Sequence, residues 1–268
     1  MSILPPALLL LVPNRAHAGQ LAVAESLVAE AVTIGEATGS RFFAQYCALV
    51  IEPWRGREAA TRQAIEAITR DLALQGEGKV LTATHWASAV LCNGLARYEE
   101  AYVAAERGCE NPQELGLAIS SMVELVEAAT RSGRPARAAA AALHIDEMAQ
   151  AAGTDWALGT SALVRAQVSG GPAADALYRE AIERLGRTEV GVAGARSRLL
   201  HGEWLRRRTA APRPGSSWAP RTSCSGRWGP RRSLTAPGVS CRPPARRCAS
   251  APSRCAPRSP PRRRRSRS

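Results

Sequence analysis

The sequence contains one lysine against 35 arginines, and no acidic residue follows Glu203. The 63 residues from Arg206 to Ser268 include 18 arginines, 11 of the 18 prolines and four of the seven cysteines, with few residues that could build a core. Residues 1–205 carry the other 18 basic groups against 23 acidic ones, a net charge of −5. The composition therefore predicts an ordered body, residues 1–207, and a disordered Arg/Pro/Ser-rich tail, residues 208–268.

Long hydrophobic runs are also lacking. No window of about 18 uninterrupted apolar residues exists, so we expect no membrane-spanning helix and no membrane partner. The apolar stretch Ile3–Val12 precedes Ala16-His17-Ala18, which resembles a signal-peptide cleavage site, but it lacks a basic n-region and is interrupted by Pro5-Pro6. We expect a first core helix here, and a cleaved secretory signal is the alternative.

Cysteines in a metal-ligating pattern are absent as well. The body holds an odd number without metal-like spacing: Cys47, Cys92 and Cys109. This usage is typical of a reduced cytoplasmic protein. Three tail cysteines recur every seven residues: Cys241, Cys248 and Cys255. Because no fold orients them, we expect no metal site in the tail.

No segment shows sustained two-residue alternation with β-branched enrichment, so we expect no β-sheet. Glycines instead recur at steps of 37, 38, 39 and 38 residues: Gly19, Gly56, Gly94, Gly133 and Gly171. A second break lies roughly midway through each unit: Gly39, Gly76, Asn111-Pro112, Gly153 and Gly186–Thr188. Each unit is therefore predicted to be a helical hairpin, with a repeat period of about 38 residues.

Apolar residues follow the helical period inside these units. In the last complete unit they share one face: Ala174, Leu177, Tyr178, Ala181, Ile182 and Leu185. We also expect Asn111 and Pro112, with Glu114 two residues on, to cap one helix and Pro172 to begin another. Because one amphipathic hairpin cannot bury its apolar face alone, the sequence predicts an all-α fold, a tetratricopeptide-like helical-hairpin solenoid.

Two local patterns resemble functional motifs but lack essential residues. Gly76–Val80 resembles a phosphate loop, yet Ala73 stands where the motif needs glycine and Val80 where it needs serine or threonine. We interpret it as an inter-helix turn. His201-Gly202-Glu203 resembles the H-x-E of zinc deaminases without its Pro-Cys-x-x-Cys partner. The four histidines are scattered: His17, His85, His144 and His201. We therefore predict no catalytic, cofactor-binding or metal residue and no enzyme.

The tail is open to two interpretations. Its arginines, with Trp218 and Trp228 to stack on bases, would give weak, non-specific nucleic-acid binding through counterion release. Alternatively, the arginine excess indicates GC-rich coding DNA, whose out-of-frame translation yields mainly Arg, Pro, Ala, Gly, Ser and Cys. Back-translation from Pro212, read from the third base of each codon, permits a helix-forming string that ends in LTAQEAQIAQ. Because the next repeat break is due near residue 209, we hypothesise a frameshift within Arg206–Thr209.

Six stretches carry a family resemblance: PWRGREA (53–59), AVLCNGLARYEEA (89–101), VELVEAATRSG (123–133), AAGTDWALG (151–159), ADALYREAIERLGRT (174–188) and RLLHGEWLRR (198–207). They span nearly all of residues 15–207, and together they resemble the large LuxR-type ATP-dependent transcriptional regulators of actinobacteria. In the recovered string, GETVRKRT and LTAQEAQIAQ look like the approach to this family's DNA-binding domain and its opening.

The resemblance implies a regulator with an N-terminal P-loop ATPase, a helical-repeat sensor or scaffold, and a C-terminal helix-turn-helix. This sequence matches neither the phosphate loop nor the DNA-binding domain, so no ATP-binding or base-reading residue carries over. We expect the repeat fragment of such a regulator, beginning inside a longer reading frame. It would bind a protein or small effector on the repeat surface and DNA only through the missing domain. The alternative is a stand-alone interaction module with a nucleic-acid-binding tail; an enzyme is the third reading.

Overall fold

The computed structural model describes residues 4–39, 42–75, 79–111 and 115–210. These residues form eleven α-helices and contain no β-strand, so the all-α prediction is confirmed for them. The helices are α1 Leu4–His17, α2 Leu21–Thr38, α3 Phe42–Ile51, α4 Glu58–Gln75, α5 Lys79–Gly94, α6 Tyr98–Gly108, α7 Leu115–Arg131, α8 Pro135–Ala152, α9 Asp155–Val168, α10 Gly171–Gly186 and α11 Gly191–Ala210. Among these helices, none has the length and apolarity needed to cross a bilayer.

Two sets of contacts organise the helices. Each helix packs against the next one along the chain, and α1, α3, α5, α7 and α9 also pack against one another in that order. We call these five helices the odd row. Each of α2, α4, α6 and α8 packs against the two members of the odd row that flank it. Helix α11 packs against α10 and also contacts α1, the first member of the row.

The turns that follow members of the odd row share one backbone feature, a residue with positive φ. It is glycine in four turns: Gly19 (80°), Gly56 (66°), Gly133 (76°) and Gly171 (62°). In the α5–α6 turn it is Ala96 (58°), because Gly94 still belongs to α5. The predicted breaks thus coincide with helix ends, but Gly94 is not the residue that reverses the chain.

Hydrogen bonding explains this requirement. In the α5–α6 turn the Arg97 N–H donates to the Cys92 carbonyl at 2.8 Å, and the Arg134 N–H donates to Ala129 at 2.8 Å after α7. This bond across five residues is the Schellman pattern, which closes only when the residue before the donor is left-handed. At Ala96 the chain therefore adopts a conformation that the side chain disfavours.

The buried faces follow the predicted period. On α10 the apolar positions are buried or half-buried: Ala174, Leu177, Tyr178, Ala181, Ile182 and Leu185. Glu180 and Arg184 pair on the other face at 2.8 Å, and Pro172 stands in the first turn, as predicted. Leu8, Val12 and Ala16 of α1 are buried, so this segment packs as the predicted core helix.

Several predictions lie outside the described residues. They concern the turn at residues 76–78, the helix cap at residues 112–114, and the tail from residue 211 with its tryptophans and cysteines. Helix α11 itself ends at Ala210.

Candidate functional site

Helix α11 carries an arginine into contact with the middle of the odd row. The Arg196 guanidinium donates to Glu124 Oε2 at 2.7 Å and to Glu127 Oε2 at 2.7 Å, across 72 and 69 residues of sequence. Both carboxylates lie on α7, where residues three apart share a face. Arg196 therefore bridges two side chains that α7 presents together.

Two further side chains complete this cluster. The Asn93 Nδ2 group on α5 donates to Glu124 Oε2 at 2.9 Å and to the Glu124 carbonyl at 3.0 Å. The Trp54 ring, which follows α3, has its centroid 5.7 Å from the Arg196 guanidinium carbon. We call Trp54, Asn93, Glu124, Glu127 and Arg196 the Arg196 cluster. It joins residues from α5, α7, α11 and the α3–α4 turn.

The Arg196 cluster is buried, and its electrostatics follow from that. The side chains of Glu124 and Arg196 are only 4% and 16% exposed. Burial raises the pKa of Glu124 above its usual range, although Arg196 opposes this shift and Glu127 adds to it. Burial also disfavours the charged guanidinium, yet the two carboxylates outweigh this effect and the pKa of Arg196 is raised. Arg196 therefore stays charged.

A second ion pair joins the same two helices. Arg131 at the end of α7 pairs with Glu203, seven residues after Arg196 on α11. The Arg131 guanidinium carbon also lies 5.5 Å from the centre of the Tyr98 ring. Because seven residues are about two helical turns, α11 is held to α7 at two points on one face.

A cavity of about 550 Å³ lies beside this contact, and we call it the α11 cavity. It is lined by α11, the odd row and the turns after α1, α3 and α5, and its lining includes Trp54, Asn93, Tyr98, Glu127 and Arg196. Two buried polar atoms of this lining have no hydrogen-bond partner among the described residues: Trp54 Nε1 and Asn93 Oδ1. A smaller cavity of about 90 Å³ shares Trp54, Val192 and Arg196.

The histidines lie on four different helices and do not converge. His17 Nδ1 lies 2.7 Å from the Pro13 carbonyl, and His144 is exposed. His201 Nε2 lies 2.7 Å from Asp175 Oδ1, a contact that lowers the pKa of Asp175. Its H-x-E partner Glu203 pairs instead with Arg131. Within the described ranges no three His, Cys, Asp or Glu residues form a group that could hold a metal ion.

The body cysteines are free thiols within the part of the chain that the structure describes. Cys47 and Cys92 are buried, and burial raises the pKa of Cys47 to about 11. Burial likewise raises the pKa of Cys109 to about 11. Neither thiol has the lowered pKa of a reactive nucleophile.

Sequence reasoning predicted no site residue, and the Arg196 cluster was missed. One signal was present: Glu124 and Glu127 interrupt an otherwise apolar run from Met122 to Ala129 at helical spacing. Two charges on the buried face of an amphipathic helix require a partner. Arg196 itself carried no such signal, since it lies among other arginines of α11.

Comparison of the chain with protein-family models, with curated proteins and with solved structures finds no significant match.

Proposed function

We propose that residues 1–207 form a tetratricopeptide-like solenoid that serves as the sensor or scaffold region of a LuxR-type transcriptional regulator. In the parent protein this region links the ATPase to the DNA-binding domain, and by itself it has no catalytic activity. The regular order of hairpins supports the architecture, since left-handed turn residues recur after the odd row at steps of 37, 40, 37 and 38 residues. Free body thiols fit a cytoplasmic location.

The observation that carries the binding role is the α11 cavity. Its lining joins α11 to three turns that follow members of the odd row, and it contains buried polar atoms without partners. Largely apolar cavities with a few convergent polar groups are the usual form of small-molecule sites. Ligands at this position would touch α11, the last helix of the body, which in the proposed parent leads toward the DNA-binding domain.

Resequencing the locus, from well upstream of Met1 to well past Ser268, tests the assignment to the regulator. We expect one inserted or missing base near the codons for Arg206–Thr209, a restored frame that continues through LTAQEAQIAQ into a helix-turn-helix, and an ATPase frame upstream. A continuous frame that stands as given, without an ATPase frame upstream, would contradict the proposal.

Assays of the purified full chain test its expected biochemical behaviour. We expect no ATP hydrolysis and no sequence-dependent DNA binding, because neither a complete phosphate loop nor a recognition helix is present in this sequence. Competition between operator-like and scrambled duplexes distinguishes specific from non-specific binding. A preference for one duplex sequence would count against the proposal.

The second candidate is a stand-alone interaction module whose tail binds nucleic acid. The observation that favours it is the run of 18 arginines from Arg206 onward, uninterrupted by any acidic residue. Limited proteolysis of the full chain, with and without RNA or DNA, separates the two candidates. Protection of the tail by nucleic acid favours the second, whereas equal degradation down to a core ending near Ala210 favours the first.

A further inference from the structure

We propose that the α11 cavity binds a small, uncharged molecule that combines an aromatic group with a carboxamide. This inference rests on the proposed sensor function and deepens it by naming the ligand class. With a volume of about 550 Å³, the cavity falls within the range of natural small-molecule sites. Apolar side chains form much of its wall: Leu21, Pro53, Val90, Val192, Leu199 and Leu200.

The polar requirement follows from Asn93. This residue is only 5% exposed, and its Nδ2 group donates to the Glu124 carboxylate at 2.9 Å. Because an ionised carboxylate only accepts hydrogen bonds, this contact fixes which end of the amide is nitrogen. The remaining atom, Oδ1, must then be an acceptor, and it has no donor within the described residues.

Trp54 supplies the complementary group. Its Nε1–H can only donate, it is buried, and it likewise has no partner among the residues described. A ligand that satisfies both atoms must donate to Asn93 and accept from Trp54. A carboxamide carries an N–H donor and a carbonyl acceptor in one rigid group, and the Trp54 and Tyr98 rings offer faces for an aromatic substituent.

The charges of the lining select against anions. Arg196 is the only cationic side chain in the described lining, and it is already bonded to Glu124 and Glu127. Glu203, also in the lining, is paired with Arg131. The five side chains of these ion pairs carry a formal net charge of −1. A carboxylate ligand would therefore lose its hydration without gaining an unengaged cation.

Isothermal titration calorimetry on the full chain tests the proposal with two probes of equal shape, N-acetyl-L-phenylalaninamide and N-acetyl-L-phenylalanine. We expect saturable binding of the amide at millimolar concentration and at least tenfold weaker binding of the carboxylate. Trp54→Phe, which keeps an aromatic ring but removes the donor, should weaken amide binding about fivefold.

A blocking variant and a matched control localise the binding. Leu199 lines the cavity and is 61% exposed, so Leu199→Trp fills space without disturbing the core. Leu143 on α8 is 60% exposed and lies outside the cavity lining, so Leu143→Trp is the control. We expect loss of amide binding in the first variant and none in the second.

Three results would overturn the inference: no saturable amide binding, equal binding of the carboxylate, or unchanged binding in Leu199→Trp. None of them alters the outcome of resequencing, which decides the proposed function separately.

Discussion

Replacement of Arg196 by methionine should be among the most destabilising single changes in the body. The variant keeps the volume of the side-chain stem but leaves Glu124 and Glu127 buried without their cation. Breaking a buried ion pair by removing one partner costs about 3–5 kcal/mol. For a domain of about 200 residues, each kcal/mol shifts Tm by roughly 2–4 °C, so we expect a decrease of about 6–20 °C.

Thermal and urea unfolding, followed by circular dichroism, would measure the effect. The control is Arg179→Met, which removes an exposed ion pair on α10 whose arginine side chain is 73% exposed. Such a pair is worth under about 1 kcal/mol. Adding Glu124→Gln and Glu127→Gln to Arg196→Met should restore most of the lost stability, because the uncompensated charges are gone. A loss no larger than that of the control, or a triple variant no more stable than Arg196→Met, would refute the reasoning.

Three further predictions concern stability. Ala96→Gly should raise the free energy of unfolding by about 0.5–1 kcal/mol, because relief of the left-handed alanine exceeds the added chain entropy, whereas Gly133→Ala should lower it by about 1 kcal/mol. Urea denaturation checks both signs, and a stability loss in Ala96→Gly would contradict the first. Gly159→Ala should cost about 1–3 kcal/mol, since its Cβ would come within 2.8 Å of a leucine Cγ on α10, and an unchanged Tm would argue against it. The pKa of Glu124 is raised, so the stability advantage of the parent over Glu124→Gln should shrink as pH rises above about 4.3, whereas the lowered pKa of Asp175 predicts that the advantage over Asp175→Asn shrinks as pH falls below about 3.9. Urea titrations across this range decide it, and slopes of the same sign would be inconsistent with these shifts.

Local features of the fold were accessible from the sequence because they depend on near neighbours along the chain. The buried face of α10 follows a 3.6-residue period, and the first-turn position of Pro172 follows from its fixed φ. The α5–α6 turn shows where this reasoning stops. Gly94 suggested the reversal, but the Schellman bond from Arg97 to Cys92 places the left-handed residue at Ala96.

The candidate site depends on distant neighbours, which local patterns do not encode. The unusual carboxylates of α7 are visible in the sequence, but their partner Arg196 is 69–72 residues away, on a helix that returns to the middle of the odd row. Asn93 and Trp54 look ordinary in sequence. Their significance arises only when packing buries one polar atom of each without a partner.

The contact between α7 and α11 also has a consequence for synthesis of the protein. Glu124 leaves the ribosome 72 residues before Arg196 does. At roughly 5–20 residues per second, α7 waits about 4–14 s for its cation. During that interval Glu124 and Glu127 must stay hydrated or protonated, so the face of α7 that they share cannot close. The middle of the body thus reaches its final packing only when its last helix has been made, and a nascent chain that stops before Arg196 retains an open face for chaperones and proteases to recognise.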